Sequence, residues 1–215
     1  MIAHKLRYLW YLLAGASDAR VMRLGRDWWE DDYARESLAR TEGDAELPRH
    51  LLVAGLARHY APGGRILDVG CGTGGLTTPI TAVFGGTSLS YVGLDLSSVA
   101  LEQAAARREA GGSASGASGA SIQFVQGDFD DYQPRHGLDA VIFSESLYYA
   151  PDAARTVRRY VDALDEDGIV IVSMWRRPSR QRVWRALEEQ LRERSRSRLV
   201  VPRRPSWDMV VFSRA

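Results

Sequence analysis

A chain of 215 residues, 45% of them hydrophobic, is long enough to bury one sizeable core, and its length suggests one domain with an appendage at most. Its 28 basic and 27 acidic residues leave a net charge of +1, so overall charge points to no nucleic-acid or other polyion partner. The only cysteine, Cys71, precludes an internal disulfide and suits a reducing, cytoplasmic setting, while His4, His50, His59 and His136 are scattered without metal-ligand spacing, so no metal is expected.

From the N-terminus, Leu6 to Ala16 follows Lys5 and Arg7 and ends in Ala14-Gly15-Ala16, a faint resemblance to an export signal. It falls short of the roughly 18 apolar residues that cross a bilayer. A lid or membrane-surface helix fits it better, and no transmembrane segment is expected. Trp28, Trp29 and Tyr33 then form an aromatic group at helical spacing, surrounded by Asp27, Glu30, Asp31 and Asp32. Two readings stand side by side here. One is core contact with a solvated acidic face; the other is a lid that packs on a ligand and excludes water. Leu51 to Tyr60 predicts a helix with Leu52, Leu56 and His59 or Tyr60 on one face.

The run Ile66-Leu67-Asp68-Val69-Gly70-Cys71-Gly72-Thr73-Gly74-Gly75 is an apolar stretch with an acid near its end, followed by glycines. It predicts a buried strand, a glycine turn and a helix from about Leu76. Glycine lets the backbone approach a ligand with no Cβ in the way, and the helix start offers free N–H groups. Gly70, Gly72 and Gly75 also fit the dinucleotide pattern G-x-G-x-x-G, a weak signal by itself. Asp68 shifts the balance. A carboxylate there repels a pyrophosphate and suits a ligand with a positive end, such as an ammonium or a sulfonium.

Tyr91 to Ser97 reads as a second strand, ending in Asp95 at about the separation at which doubly wound folds place an acid on ribose hydroxyls. A third strand is predicted at Ile122 to Gly127, before Asp128-Phe129, and a fourth at Leu138 to Phe143, before Ser144-Glu145-Ser146-Leu147-Tyr148-Tyr149. Ligands in open α/β sheets bind beyond the carboxyl ends of the strands. Glu145 is therefore the first candidate for a catalytic base, with Tyr148 and Tyr149 as alternatives or as orienting groups.

Asp68-x-Gly70-x-Gly72-x-Gly74 closely resembles the first motif of the class I S-adenosylmethionine-dependent methyltransferases. The resemblance covers roughly Gly64 to the C-terminus. It implies a Rossmann-like, doubly wound, seven-stranded α/β sheet with an antiparallel last strand and helices on both faces. It implies S-adenosylmethionine as cofactor, held around Asp68, Gly70, Cys71, Gly72, Gly74 and Ser144. Asp95 would bind both ribose hydroxyls and Leu96 pack on adenine, while Asp128 would hold the exocyclic amine beside Phe129. Residues 1–60 would form a cap carrying Trp28, Trp29 and Tyr33, and residues 61–215 the core. Glu145 to Tyr149 is similar to the small-molecule branch, including the nodulation-type enzymes that N-methylate an amino sugar. The Asn-Pro-Pro-aromatic signature of DNA adenine methyltransferases is absent.

The rest of the chain follows that topology. Pro151 to Leu164 has helical spacing, Asp167-Gly168 predicts a turn, and Ile169 to Met174 predicts a fifth strand. Arg182 to Arg194 reads as a helix, and Ser197–Val201 and Met209–Ser213 as a closing pair of strands separated by Pro202 and Pro205. The arginines between 176 and 204 are interrupted by Glu188, Glu189 and Glu193 and read as a solvated helix face. Gly111 to Ala120 contains only Gly, Ser and Ala and predicts a flexible surface loop. The expected function is methyl transfer to an O or N atom of a small molecule. Its alternatives are a cofactor-binding subunit without transfer activity and a nicotinamide-dependent oxidoreductase. Asp68, the Asp128-Phe129 pair and the closing strands speak against the oxidoreductase.

Overall fold

The computed structural model describes residues 25–35, 46–110, 119–201 and 206–215. The apolar stretch Leu6–Ala16, the loop through 111–118 and Pro202 and Pro205 lie outside the described residues. Seven strands form one sheet: β1 (Arg65–Val69), β2 (Leu89–Asp95), β3 (Ala120–Gln126), β4 (Leu138–Ser144), β5 (Leu164–Trp175), β6 (Leu191–Leu199) and β7 (Trp207–Arg214). The helices are α1 (Arg26–Ala34), α2 (Leu47–Tyr60), α3 (Thr77–Val83), α4 (Ser98–Ala110), α5 (Ala153–Val161) and α6 (Gln181–Glu188). Their spatial order in the sheet is β3-β2-β1-β4-β5-β7-β6. The chain winds outward from β1 through β2 to β3, then returns to lay β4 on the other side of β1. The point of reversal lies between β1 and β4, where doubly wound sheets open a crevice. All pairings are parallel except those of β7, which runs antiparallel to both β5 and β6.

Strands buried on both faces read as continuous apolar runs because each face meets helices. Leu67, Val69, Val141, Phe143, Val170, Val172, Val210 and Phe212 face α5 and α6, meeting Val157, Tyr160, Trp184 and Leu187. Ile66, Ile142, Ile171, Met209 and Val211 face α2 and α3, meeting Val53, Ala54, Ala57 and Ile80. Strand alternation carries Asp68, Ser144 and Ser173 onto this second face, two residues beyond Ile66, Ile142 and Ile171. Three adjacent apolar stripes thus turn polar toward the carboxyl ends, beneath the start of α2.

Two stretches differ from the sequence expectation. The helix expected at 182–194 ends at Glu188, and the arginine-rich residues form β6, an edge strand. Arg192, Arg194, Arg196 and Arg198 are exposed, while Ser195, Ser197 and Leu199 are half-buried. That period of two, running through 194–199, outweighs the helical propensity of arginine and glutamate. Asp167-Gly168 is the second case. It lies inside a β5 that starts at Leu164, with the register slipping between Leu138 and Ala140 where β4 pairs with it. A Cβ on Gly168 would come within 2.8 Å of Leu138 O, so the irregular stretch needs glycine.

Candidate active site

Turn geometry builds the floor of the site. Gly70, Gly72 and Gly74 all have positive φ, at 75°, 54° and 74°. Gly70 is required twice over, because a Cβ there would sit 2.5 Å from Ser146 Cβ. The turn leans on the end of β2. Gly70 N and Cys71 N donate to Leu94 O at 2.8 and 3.0 Å, and Gly72 N donates to Asp95 Oδ2 at 2.8 Å. These three amides are therefore engaged within the protein and do not point at a ligand as the glycine pattern suggested. Helix α3 starts at Thr77, after a run of turns.

Asp68 is 1% exposed. Its Oδ2 accepts the Tyr91 hydroxyl at 2.6 Å, while Oδ1 is enclosed with no hydrogen-bond partner among the described residues. Burial pushes this carboxyl up to about 6. Asp95 is part-buried and accepts Gly72 N through one oxygen and Ser97 N, at 3.0 Å, through the other. Burial raises its pKa, and these backbone donors oppose that shift. Gly127 N donates to Asp95 O at 2.9 Å, which brings the loop after β3 beside the end of β2. In that loop Asp128 Oδ1 accepts Asp130 N at 2.9 Å, and Phe129 packs against the α5–α6 side of the core. Cys71 is buried with its Sγ toward Gly93. Leu96 is half-buried.

The other wall follows β4. Glu145 is the only non-glycine residue with positive φ among the described residues, at 61°. Such a backbone is uncommon for a residue with a Cβ and concentrates at functional sites. Here Glu145 N, donating to Ser173 O at 3.0 Å, helps to hold it. Its Oε2 accepts the Tyr148 hydroxyl at 3.1 Å, while Oε1 is enclosed and has no hydrogen-bond partner among the described residues. Burial pushes the carboxyl up to about 7, against the opposing pull of Arg49, the Tyr148 hydroxyl and Arg180. The Tyr149 ring lies tilted against Tyr148, with centroids 4.5 Å apart, and meets Trp29 edge to face at 4.9 Å. Trp29 also contacts Trp28 and Tyr33. The structure thus brings Glu145, Tyr148, Tyr149 and the three α1 aromatics into one continuous group.

Four residues in these walls were not singled out in the sequence. Arg49, 4% exposed on α2, donates through Nη1 to Ser144 Oγ and through Nε to Glu46 at 2.8 Å. Its Nη2 lies 2.8 Å from His50 Nε2. Burial, then the charges of Arg49 and Arg107, press His50 down to about 3, so the ring is neutral and accepts from Arg49. Pro48 in the first turn of α2 is the signal that would have extended that helix back to include both residues. Arg180 lies over the Tyr148 ring, 3.5 Å from its centre. Glu30, from α1, accepts Ser97 Oγ at 3.0 Å, Ser98 N at 2.9 Å and Val99 N at 3.1 Å, and so caps α4 from another helix. Burial opposes ionisation of Glu30, but these hydrogen bonds win and lower its pKa.

No group of three or more metal-ligating side chains occurs among the described residues, and no helix among them is long and apolar enough to cross a membrane.

Residues 66–168 match the methyltransferase domain family. A trans-aconitate 2-methyltransferase from Rhodopseudomonas palustris is 25% identical over 148 residues, covering 69% of this chain and 50% of that protein. The aklanonic acid methyltransferase DauC from a Streptomyces species is 31% identical over 106 residues, covering 49% of this chain and 46% of that protein. The chain spans about half the length of these two curated relatives. Among solved structures, the N-methyltransferase NodS from Bradyrhizobium japonicum, in complex with S-adenosyl-L-homocysteine, shares the fold. Its TM-score is 0.68 at 17% identity, over 86% of this chain and 98% of that one. With the β3-β2-β1-β4-β5-β7-β6 sheet and the Asp68–Gly74 turn at its reversal point, residues 66–168 match a methyltransferase domain, and the chain has the Rossmann-like fold that the methyltransferase NodS shares.

Proposed function

We propose that this protein moves a methyl group from S-adenosylmethionine to an oxygen or nitrogen atom of a small molecule in the cytoplasm. One observation carries the reading. Two enclosed carboxylate oxygens at the carboxyl ends of β1 and β4, Asp68 Oδ1 and Glu145 Oε1, have no hydrogen-bond donor among the described residues. Buried acceptors of this kind are costly unless a ligand satisfies them. An ammonium suits Asp68, and an acceptor N–H or O–H suits Glu145. Arg49, held on three sides, is the fixed cation that suits a carboxylate at the amino-acid end of the cofactor.

When bound, the cofactor supplies a methyl group already activated by its positive sulfur. The chain's own residues then have three tasks. Asp95, with lone pairs left beside its bonds to Gly72 and Ser97, accepts the ribose hydroxyls; Leu96 and Phe129 enclose the adenine, and Asp128 takes its amine. Tyr148 and Tyr149 orient the acceptor, since alignment alone is worth about 7–11 kcal/mol. Glu145 takes the acceptor's proton, with a pKa close to operating pH.

Calorimetry tests the cofactor half. The protein is expected to bind S-adenosylhomocysteine and not NAD, and Asp95→Ala to weaken that binding by roughly 10- to 100-fold, since each hydrogen bond to a charged group contributes about 1.5–3 kcal/mol. NAD binding without S-adenosylhomocysteine binding overturns the reading. Labelled S-adenosylmethionine with a panel of amines, phenols and acids tests transfer. Tight binding with no transfer to any acceptor favours the non-catalytic subunit.

In this reading α1 is the described part of a lid over the core, whereas α2, the other described helix of residues 1–60, packs Val53, Ala54 and Ala57 against the sheet. Trp28, Trp29 and Tyr33 cover the acceptor wall, and Glu30 is the fastening. Glu30→Ala removes a cap worth about 0.5–2 kcal/mol. Hydrogen exchange across residues 26–34 is then expected to speed up by about tenfold. Unchanged protection would mean that the aromatics alone hold α1.

A further inference from the structure

Asp68 has two oxygens in different circumstances. Oδ2 accepts the Tyr91 hydroxyl and Oδ1 is enclosed without a partner among the described residues. The tyrosine reaches the acid for a geometric reason. In the parallel β1–β2 ladder Ile66 stands opposite Tyr91, and Asp68 stands opposite Gly93. Tyr91 and Asp68 therefore project from the same face, one step apart along the strands. A phenol ring spans that diagonal, and Gly93 adds no side chain opposite the acid. Tyr91 and Asp68 are each 1% exposed, so neither can exchange this bond for water.

We propose that Tyr91 is a positioning residue of the cofactor site: its hydroxyl holds Asp68 Oδ2, sets the plane of the carboxylate and leaves Oδ1 as the acceptor for the cofactor's ammonium group. The proposal rests on the reading of Asp68 as a cofactor ligand. It adds a residue that the sequence shows only as the start of the second predicted strand.

The charges around the pair give it a pH signature. Against the burial of Asp68 stand the Tyr91 hydroxyl and Arg49 from α2, while Asp95, at the end of β2, reinforces burial. Burial, then Asp68 and Cys71, hold the Tyr91 phenol well above its ordinary value, so it remains a donor at every pH of interest. Only ionised Asp68 attracts an ammonium. Affinity is therefore full above about 6 and falls as pH drops through that value. Removing the hydroxyl leaves burial less opposed and moves the fall to higher pH.

Tyr91→Phe keeps the ring and removes the donor. S-adenosylhomocysteine titrated calorimetrically from about pH 5 to 8 is expected to bind roughly tenfold more weakly at neutral pH, with the midpoint of the fall about one pH unit higher. In an Asp68→Asn background the same substitution is expected to change nothing further. A ring-fluorinated tyrosine at position 91 keeps the shape and donates more strongly; it is expected to move the midpoint the opposite way, and it carries the test if Tyr91→Phe does not fold. Wild-type affinity and midpoint in either variant, or additive losses in the double variant, overturn the role of Tyr91 while leaving Asp68 in the site. Asp68→Asn binding S-adenosylhomocysteine like the wild type overturns the Asp68 reading, and the Tyr91 proposal with it.

Discussion

Glu145→Gln is expected to lower turnover by about 100- to 10,000-fold, the usual worth of a general base, while changing S-adenosylhomocysteine affinity by no more than a few-fold. Glutamine keeps the length and the hydrogen-bonding carbonyl but takes no proton near neutrality. The distinction between rate and affinity follows from position. Glu145 sits beyond β4 with Tyr148, whereas Asp68 and Asp95 end β1 and β2. The wild-type rate should also depend on pH with a definite sign. The carboxyl is pushed up to about 7, so the base is available above that value and withdrawn as pH falls through it. The variant should lose that limb of the profile. Once labelled methyl transfer has identified an acceptor, steady-state rates across pH decide the matter. A variant with wild-type turnover would confine Glu145 to a structural role and leave the tyrosines, or alignment alone, to act on the acceptor.

Gly70→Ala is the second large effect, and it needs no acceptor. A left-handed backbone costs a residue with a Cβ about 1–2 kcal/mol, and forcing a carbon to 2.5 Å from Ser146 Cβ adds about 1–3 kcal/mol of overpacking. For a domain of this size each kcal/mol lowers the melting temperature by about 2–4 °C, which predicts a fall of roughly 5–15 °C by circular dichroism. The same push displaces Ser146, the neighbour of Glu145, so cofactor affinity and turnover should fall together. A melting curve unchanged from wild type would show that the turn and the β4 loop can part without cost.

Much of this was legible in the sequence because it depends on periodicity and glycine. The mostly apolar runs at 66–69, 138–143 and 169–174 marked central strands, and Asp68, Asp95 and Glu145 stood out as the acids at or just past strand ends. What was hidden depends on contacts between distant elements. Nothing local in Glu30 announces that it caps a helix 68 residues away. Arg49 reads as a surface arginine until Glu46, His50 and Ser144 close around it. The strain at Glu145 is a property of its backbone angle, which its residue type would have argued against. Residues 191–194, expected as helix ahead of a strand at 197–201, went astray for a different reason. Their arginines and glutamate favour helix by composition, and the period of two that makes 191–199 a strand is carried only by serines and Leu199 against the arginines.

That last strand has a consequence for how molecules of this protein meet one another. Among the described residues β6 is a rim of the sheet, with no strand paired along its outer side. A second extended chain arriving there would have to strip water from a row of guanidinium groups at 192, 194, 196 and 198, two of them already tied to Glu188, Glu193 and Asp208. The hydration of those cations and their mutual repulsion make the rim a poor template for strand addition. These arginines, which the sequence offers only as a solvated face, therefore act as a guard against a further strand when the concentration of the protein rises.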